Sequence, residues 1–438
     1  MYNYLPDTDE FANNRTKLLS WLYIAIFALA ISGFYSILIV LLRSPGIQTI
    51  MPFKSFFSSS LVIHVNMSVL IFMLSIATIW LSFEVKNKYL SFITALLAFF
   101  GMMLMAISPF IKHTPILNNY VPVIENMPFF IGLFLFFTGI FLSSITVCNR
   151  FIFKPNITGQ KAISYSVAIL LVSAFFSLFI TRSKLLTLVH HNYSKHEFYE
   201  LMFWGFGHIL QFVYFAVYLG FVYKIISLIK DSPKNDLALG LISIINALLP
   251  VIAIYNQINT DDYINGYTEH MKYYGGVPFV LLVIYLSIYY KKVMDIKPLY
   301  RLGLILSMLL FGAGGIIALY ISGTDVTIPA HYHGSTVGIT IGLMCFIYMI
   351  FIEYFNMEQS KGMKWQLITY TIGQAIHITG LAWSGGYGAL RKNHGEILSV
   401  KLKISMGFMG AGGLIAIISG LTFIIIVLKC FYKINKFK

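Results

Sequence analysis

The chain has 438 residues, of which 58% are hydrophobic and only 11% charged, so its surface cannot be that of a water-soluble protein. Apolar runs of about 20 residues, each able to cross a hydrocarbon core roughly 30 Å thick, recur along its length. The formal net charge of +14 gathers at the ends of these runs, where basic residues set topology, and this placement excludes a nucleic-acid partner.

Twelve spans are predicted in chain order, at about 19–42, 59–83, 89–111, 127–148, 163–181, 201–228, 237–260, 276–292, 300–322, 331–354, 366–384 and 403–429. The expected fold is an all-α integral membrane protein, a bundle of about twelve transmembrane helices forming a single domain over residues 1–438. The first span follows Asp7, Asp9, Glu10, Arg15 and Lys17 and is too long for a signal-peptide core, so it is read as retained. About two thirds of the 31 Lys and Arg fall on the face shared by both termini, which places both termini in the cytoplasm. Arg150, Lys154, Lys161, Lys291, Lys292, Lys297, Arg301 and Lys433 belong to that face. Cys148, Cys345 and Cys430 are far apart and form no CxxC. That leaves no c-type haem attachment, no disulfide framework and no support for a dicopper centre.

Ionisable side chains within spans are costly and usually functional. With the termini inside, His64, His208, His331 and His333 lie near the outer beginnings of spans two, six and ten, and His270 lies at or just beyond the outer end of span seven. Any one of them reads as a hydrogen-bonded structural histidine. Agreement in depth across four spans is a stronger signal. His331 and His333, at i and i+2, point about 200° apart on a helix, so the two rings face different groups rather than one metal. One helix then stands between two haems. His64 is a natural second axial ligand for one of them, the other keeps an open position for a gas, and His208 and His270 are placed to hold a further metal.

The Ala330-His331-Tyr332-His333-Gly334 segment, His64, the Trp204-Gly205-Phe206-Gly207-His208 segment and the Glu269-His270 pair together resemble subunit I of the haem-copper oxidases. The resemblance runs through the whole chain in span order. Its local character is similar to the cbb3-type branch and the related nitric oxide reductases. It implies two haems, a low-spin haem on His64 and His333 and a high-spin haem on His331. A copper or iron would be held nearby by His208 and the residues after span seven. It also implies an electron-donating cytochrome c or c-type cytochrome subunit, other membrane subunits, and a place in a bacterial inner membrane or an equivalent energy-transducing bilayer.

The chain departs from that family in ways that bear on the substrate. Glu269 replaces the first of two adjacent histidines, and a carboxylate beside His208 and His270 shifts preference from copper toward iron. Phe212 occupies the position of one branch's redox tyrosine, whereas Tyr263, six residues before Glu269, matches the spacing of the other's. Arg391 and Lys392, in the loop after span eleven, correspond to the family's propionate-binding pair. His377 has no evident partner and is read as structural. Only Glu353, near the inner end of span ten, offers a carboxylate within a span. Gln211, Asn66 and Asn246 either order water or join helices, so no proton channel is marked. The expected activity is reduction of dioxygen to water, with nitric oxide reduction as the alternative that Glu269 favours. A transporter lined by histidines is a remote alternative, since it explains neither the HxH spacing nor the shared depth.

Overall fold

The computed structural model describes residues 8–43, 54–153, 157–187, 193–229, 237–260, 262–321, 325–386 and 400–436. The helices are α1 (Thr8–Arg43), α2 (Lys54–Val65), α3 (Phe72–Ser82), α4 (Lys88–Ile107), α5 (Met127–Phe153), α6 (Gly159–Thr187), α7 (Lys195–Ser227), α8 (Leu237–Leu248) and α9 (Pro250–Asn259). They continue with α10 (Tyr263–Tyr274), α11 (Val277–Ile288), α12 (Tyr290–Met294), α13 (Pro298–Ala318), α14 (Thr327–Met349), α15 (Lys361–Gly385) and α16 (Val400–Lys436). A π-helical segment, Asn66–Ile71, joins α2 to α3, and another, Ile350–Tyr354, follows α14. The strand content of the described residues is one short antiparallel hairpin, β1 (Pro115–Ile116) with β2 (Val123–Ile124).

Eleven helical spans are long and apolar enough to cross a membrane among the described residues. The remaining predicted span is α15. It has 25 residues, but Gln366, Thr369, Thr371, Gln374, His377 and Thr379 make it too polar to stand with the others. The span expected at 276–292 instead runs from Tyr263 to Ile288, broken at Gly275-Gly276. Its first half, α10, is nearly as polar as apolar, and only one face of it is buried, at Tyr263, Tyr267 and His270. That i, i+4, i+7 stripe marks a helix with one inward face. His270 therefore stands inside a helix, not in the connection after span seven.

Burial singles out three spans. Their apolar windows are 78% buried in Phe56–Ser82, 89% in Lys195–Ser227 and 78% in Thr327–Tyr354, against 22–56% in the others. These three carry His64, His208 and the His331/His333 pair. Large apolar side chains such as Phe134, Phe179 and Leu309 are exposed on outer spans, a surface stable against lipid and not against water.

The chain forms two compact units, one from Met1–Tyr223 with Pro233–Tyr289, the other from Lys224–Ser232 with Tyr290–Lys438. In the first, α4 and α5 meet at Gly101 and Gly132, where a Cβ on either would run into the other's carbonyl oxygen. In the second, Gly314 of α13 and Gly334 of α14 meet backbone to backbone, where a Cβ on either would run into main-chain atoms of the other helix. Between apolar helices in lipid, association rests on such close backbone packing, because lipid tails are as apolar as the side chains they replace. The start of α7 is fixed by a reciprocal cap, in which the Ser194 backbone N–H donates to Glu197 at 2.8 Å and the Glu197 N–H donates to the Ser194 hydroxyl at 3.2 Å.

Candidate metal centre

In the first unit, His64 lies in the last turn of α2, two residues before the π-helical segment begins. Its Nδ1 lies 3.1 Å from the Ser32 carbonyl oxygen and 2.9 Å from the Ser32 hydroxyl on α1. A carbonyl only accepts, so Nδ1 carries the hydrogen and Nε2 of the neutral ring carries the lone pair. A π-turn at this point widens the helix, a distortion often found at functional sites.

His208, 5% exposed on α7, follows the same logic through its own helix. Its Nδ1 donates to the Trp204 carbonyl at 2.9 Å, which assigns the lone pair to Nε2. The Tyr120 hydroxyl stands 3.0 Å from that Nε2 and donates to it. Tyr120 comes from the β1–β2 hairpin, and its ring lies against the backbone at Gly207, where any Cβ would collide with it. Gly205 does the same for the Tyr267 ring of α10. The two glycines of the Trp204–His208 segment thus let two phenols close on α7.

α10 runs beside α7 in matching register. The rings of Tyr267 and His208 are 5.5 Å apart, and one turn further along those of His270 and Phe212 are 5.8 Å apart. His270 is 5% exposed, and its Nε2 donates to the Leu249 carbonyl at 2.8 Å, at the break before Pro250, so its lone pair is on Nδ1. The Tyr267 hydroxyl donates to Gln257 at 2.8 Å and lies 3.1 Å from the Ser177 hydroxyl.

Two expected site residues are placed elsewhere. Tyr263 is buried, but its hydroxyl donates to the Leu201 carbonyl at 3.0 Å, two helical turns before His208. Tyr267, one turn on, is the tyrosine that faces His208. Glu269 is 56% exposed and lies 3.7 Å from Lys272 Nζ. Neighbours on a helix point about 100° apart, so with His270 inward the carboxylate turns outward and does not join His208 and His270. Within the described part of this unit no three His, Cys, Asp or Glu side chains form a metal-binding group.

In the second unit, the Nδ1 of His331 donates to the Gly314 carbonyl at 2.8 Å. The contact depends on the Gly314–Gly334 approach, because a side chain on Gly334 would push α14 off α13. His333 faces α15, where its ring centroid is 4.9 Å from that of His377. The i and i+2 rings therefore turn to different neighbours, as their spacing requires. His377 donates through Nδ1 to the Met409 carbonyl at 2.8 Å, a partner on α16 that sequence inspection missed. Asp325 caps the start of α14, accepting from the Thr327 N–H at 2.8 Å. Arg391 and Lys392 lie outside the described residues.

Two of these imidazoles, those of His64 and His331, have the hydrogen bonding that iron ligation requires. A ligating histidine needs its second ring nitrogen held by a hydrogen-bond acceptor, which fixes tautomer and ring plane, and the main-chain carbonyls of Ser32 and Gly314 supply that to His64 and His331.

The fold is that of the haem-copper terminal oxidases. A dimeric member solved by cryo-electron microscopy superposes with a TM-score of 0.67 over 94% of this chain and 83% of that one, at 14% identity. The chain belongs to the family of the uncharacterized protein RP382 of Rickettsia prowazekii (strain Madrid E), to which it is 31% identical over 98% of both chains. An uncharacterized protein of Aquifex aeolicus (strain VF5) is 27% identical over 77% of this chain and 86% of its own length. No protein-family model matches the sequence.

Proposed function

We propose that this protein is the catalytic subunit of a membrane-bound respiratory gas reductase of the haem-copper oxidase type. His64 and His333 would hold a low-spin haem, His331 a high-spin haem, and His208 and His270 a non-haem metal. These groups supply electron transfer and a gas-binding iron with a second metal beside it. The protein's part is to hold His64, His208, His270 and His331 each in one tautomer, to keep water and lipid out, and to set the Tyr120 phenol proton next to His208. The observation that carries the reading is the main-chain anchoring of Nδ1 in both His64 and His331, which leaves Nε2 as the ligating atom in each.

Dioxygen is the first substrate on this reading, supported by the likeness in fold to a terminal oxidase and by the two phenols at His208. Nitric oxide is the second. Glu269 no longer speaks for it, but the Tyr120 oxygen is a hard donor at the same Nε2 and favours iron. With no CxxC on the chain, electrons come from a partner that carries its own c-type haem. The purified protein should show a low-spin haem spectrum and a carbon monoxide difference spectrum. Turnover assays on each gas then decide the substrate, and a protein without haem would overturn the proposal.

A further inference from the structure

The proposed second metal has two imidazoles and, with Glu269 turned outward, no carboxylate to complete its set. We propose that the missing donor is Tyr120, whose phenolate oxygen ligates the metal bound by His208. This rests on the metal-centre reading above and extends it to a ligand from outside the membrane-spanning helices.

The hydrogen-bond pattern restricts the choice. With Nδ1 of His208 committed to the Trp204 carbonyl, Nε2 is the nitrogen able to bind a metal, and it faces the Tyr120 oxygen at 3.0 Å. Two ligands on one ion, each about 2.0–2.2 Å from it, stand roughly 2.8–3.6 Å apart for angles between square and tetrahedral. The observed separation of 3.0 Å falls within that range.

The hairpin holds Tyr120 to this position from both sides. Asn119 donates to the Glu200 carboxylate of α7 through its backbone N–H, at 2.9 Å, and through its side chain. On the other side Asn66 Nδ2, in the π-turn after His64, donates to the Pro122 carbonyl at 2.7 Å. Lys195 pairs with Glu125 at 2.6 Å. Packing agrees, since Gly207 is the residue that leaves room for the Tyr120 ring, and Trp204 meets that ring edge-on at 5.5 Å.

The chemistry balances without any change of oxidation state. On loading, the phenol O–H bond breaks, an oxygen–metal bond forms and one proton leaves. Two residues before Tyr120 in the chain, Asn118 is 4% exposed and neither of its amide atoms has a hydrogen-bond partner. A buried polar group of this kind is normally satisfied by ordered water, which gives the proton a way out. An oxygen donor with two imidazoles is a hard set, so the site should hold iron in preference to copper.

The test is resonance Raman spectroscopy on the purified holoprotein with its second metal as ferric iron, grown with ordinary or ring-deuterated tyrosine, alongside metal and haem analysis. Phenolate–iron ring modes that shift on deuteration are expected in the unaltered protein and in Tyr267→Phe. They should be absent from Tyr120→Phe, with non-haem iron falling about ten-fold or more while the low-spin haem spectrum persists. If Tyr120→Phe does not accumulate, Tyr263→Phe, Tyr267→Phe and Tyr274→Phe serve instead, since Tyr274 lies against His270 with ring centroids 5.1 Å apart: modes that persist in all three point to Tyr120, and loss in any of them overturns the proposal. A protein that binds its second metal without tyrosine modes overturns this inference alone. A protein with neither haem nor second metal overturns the proposed function along with it.

Discussion

His331 and His208 are held by the same device, an Nδ1 hydrogen donated to a main-chain carbonyl, but their surroundings are built differently. The carbonyl for His331 belongs to Gly314 on a neighbouring helix, and it comes within reach because two glycines let α13 and α14 touch. The carbonyl for His208 belongs to its own helix, and the far side of the ring is met by a phenol from an extramembrane hairpin. One ring is positioned by the packing of two helices, the other by a strap from the hairpin between α4 and α5. The first arrangement is rigid and written in local spacing. The second depends on long-range contacts that a few substitutions can loosen without disturbing the bundle.

The largest effects should come from the rings proposed as ligands. His331→Ala is expected to abolish carbon monoxide binding to the reduced protein, and His64→Ala or His333→Ala to abolish the low-spin haem spectrum, with the chain still in the membrane. Retained carbon monoxide binding, or a full low-spin spectrum, would remove the corresponding assignment. Glycine variants separate the two ways of building a site. Gly334→Leu should cost at least about 1–3 kcal/mol through overpacking and take the high-spin haem with it. Gly207→Leu should displace Tyr120 and lower second-metal occupancy while both haem spectra remain, and equal damage to all three centres would erase the distinction between the regions. A smaller effect is expected for Asn66→Leu, which frees the hairpin from the π-turn at a cost of about 1 kcal/mol, read as faster proteolysis between residues 115 and 124. Smallest of all is Glu269→Gln, whose exposed partner Lys272 makes a change beyond about 0.5 kcal/mol unexpected. Second-metal content should be unchanged in that variant. A ten-fold loss would return the carboxylate to the ligand set.

The same contrast governs what could be read from sequence. The spans were legible because apolar length is a one-dimensional signal, and α15 was found although its polar residues hide it from a composition criterion. The HxH spacing foretold that His331 and His333 go to different neighbours, since helix geometry alone decides it. α10 was misplaced because half its residues are polar, and the outward turn of Glu269 followed from that error: residues in a loop carry no phase, residues on a helix do. Tyr263 was singled out by a spacing count, whereas register against α7 brings Tyr267 to His208. Tyr120 carried no signal at all. It sits in a short hairpin, and its partner lies 88 residues away.

That separation has a consequence for how the protein is made. The hairpin leaves the ribosome 88 residues ahead of His208, and α10 follows later still, so the Tyr120–His208 contact cannot form while the first five predicted spans enter the bilayer. Contacts between distant stretches of chain form late, because closing the loop between them costs entropy before anything repays it. The strap can only be fastened once α7 has arrived, which divides biogenesis into two stages, an open bundle and a sealed one. Ions and prosthetic groups have their easiest access before the seal.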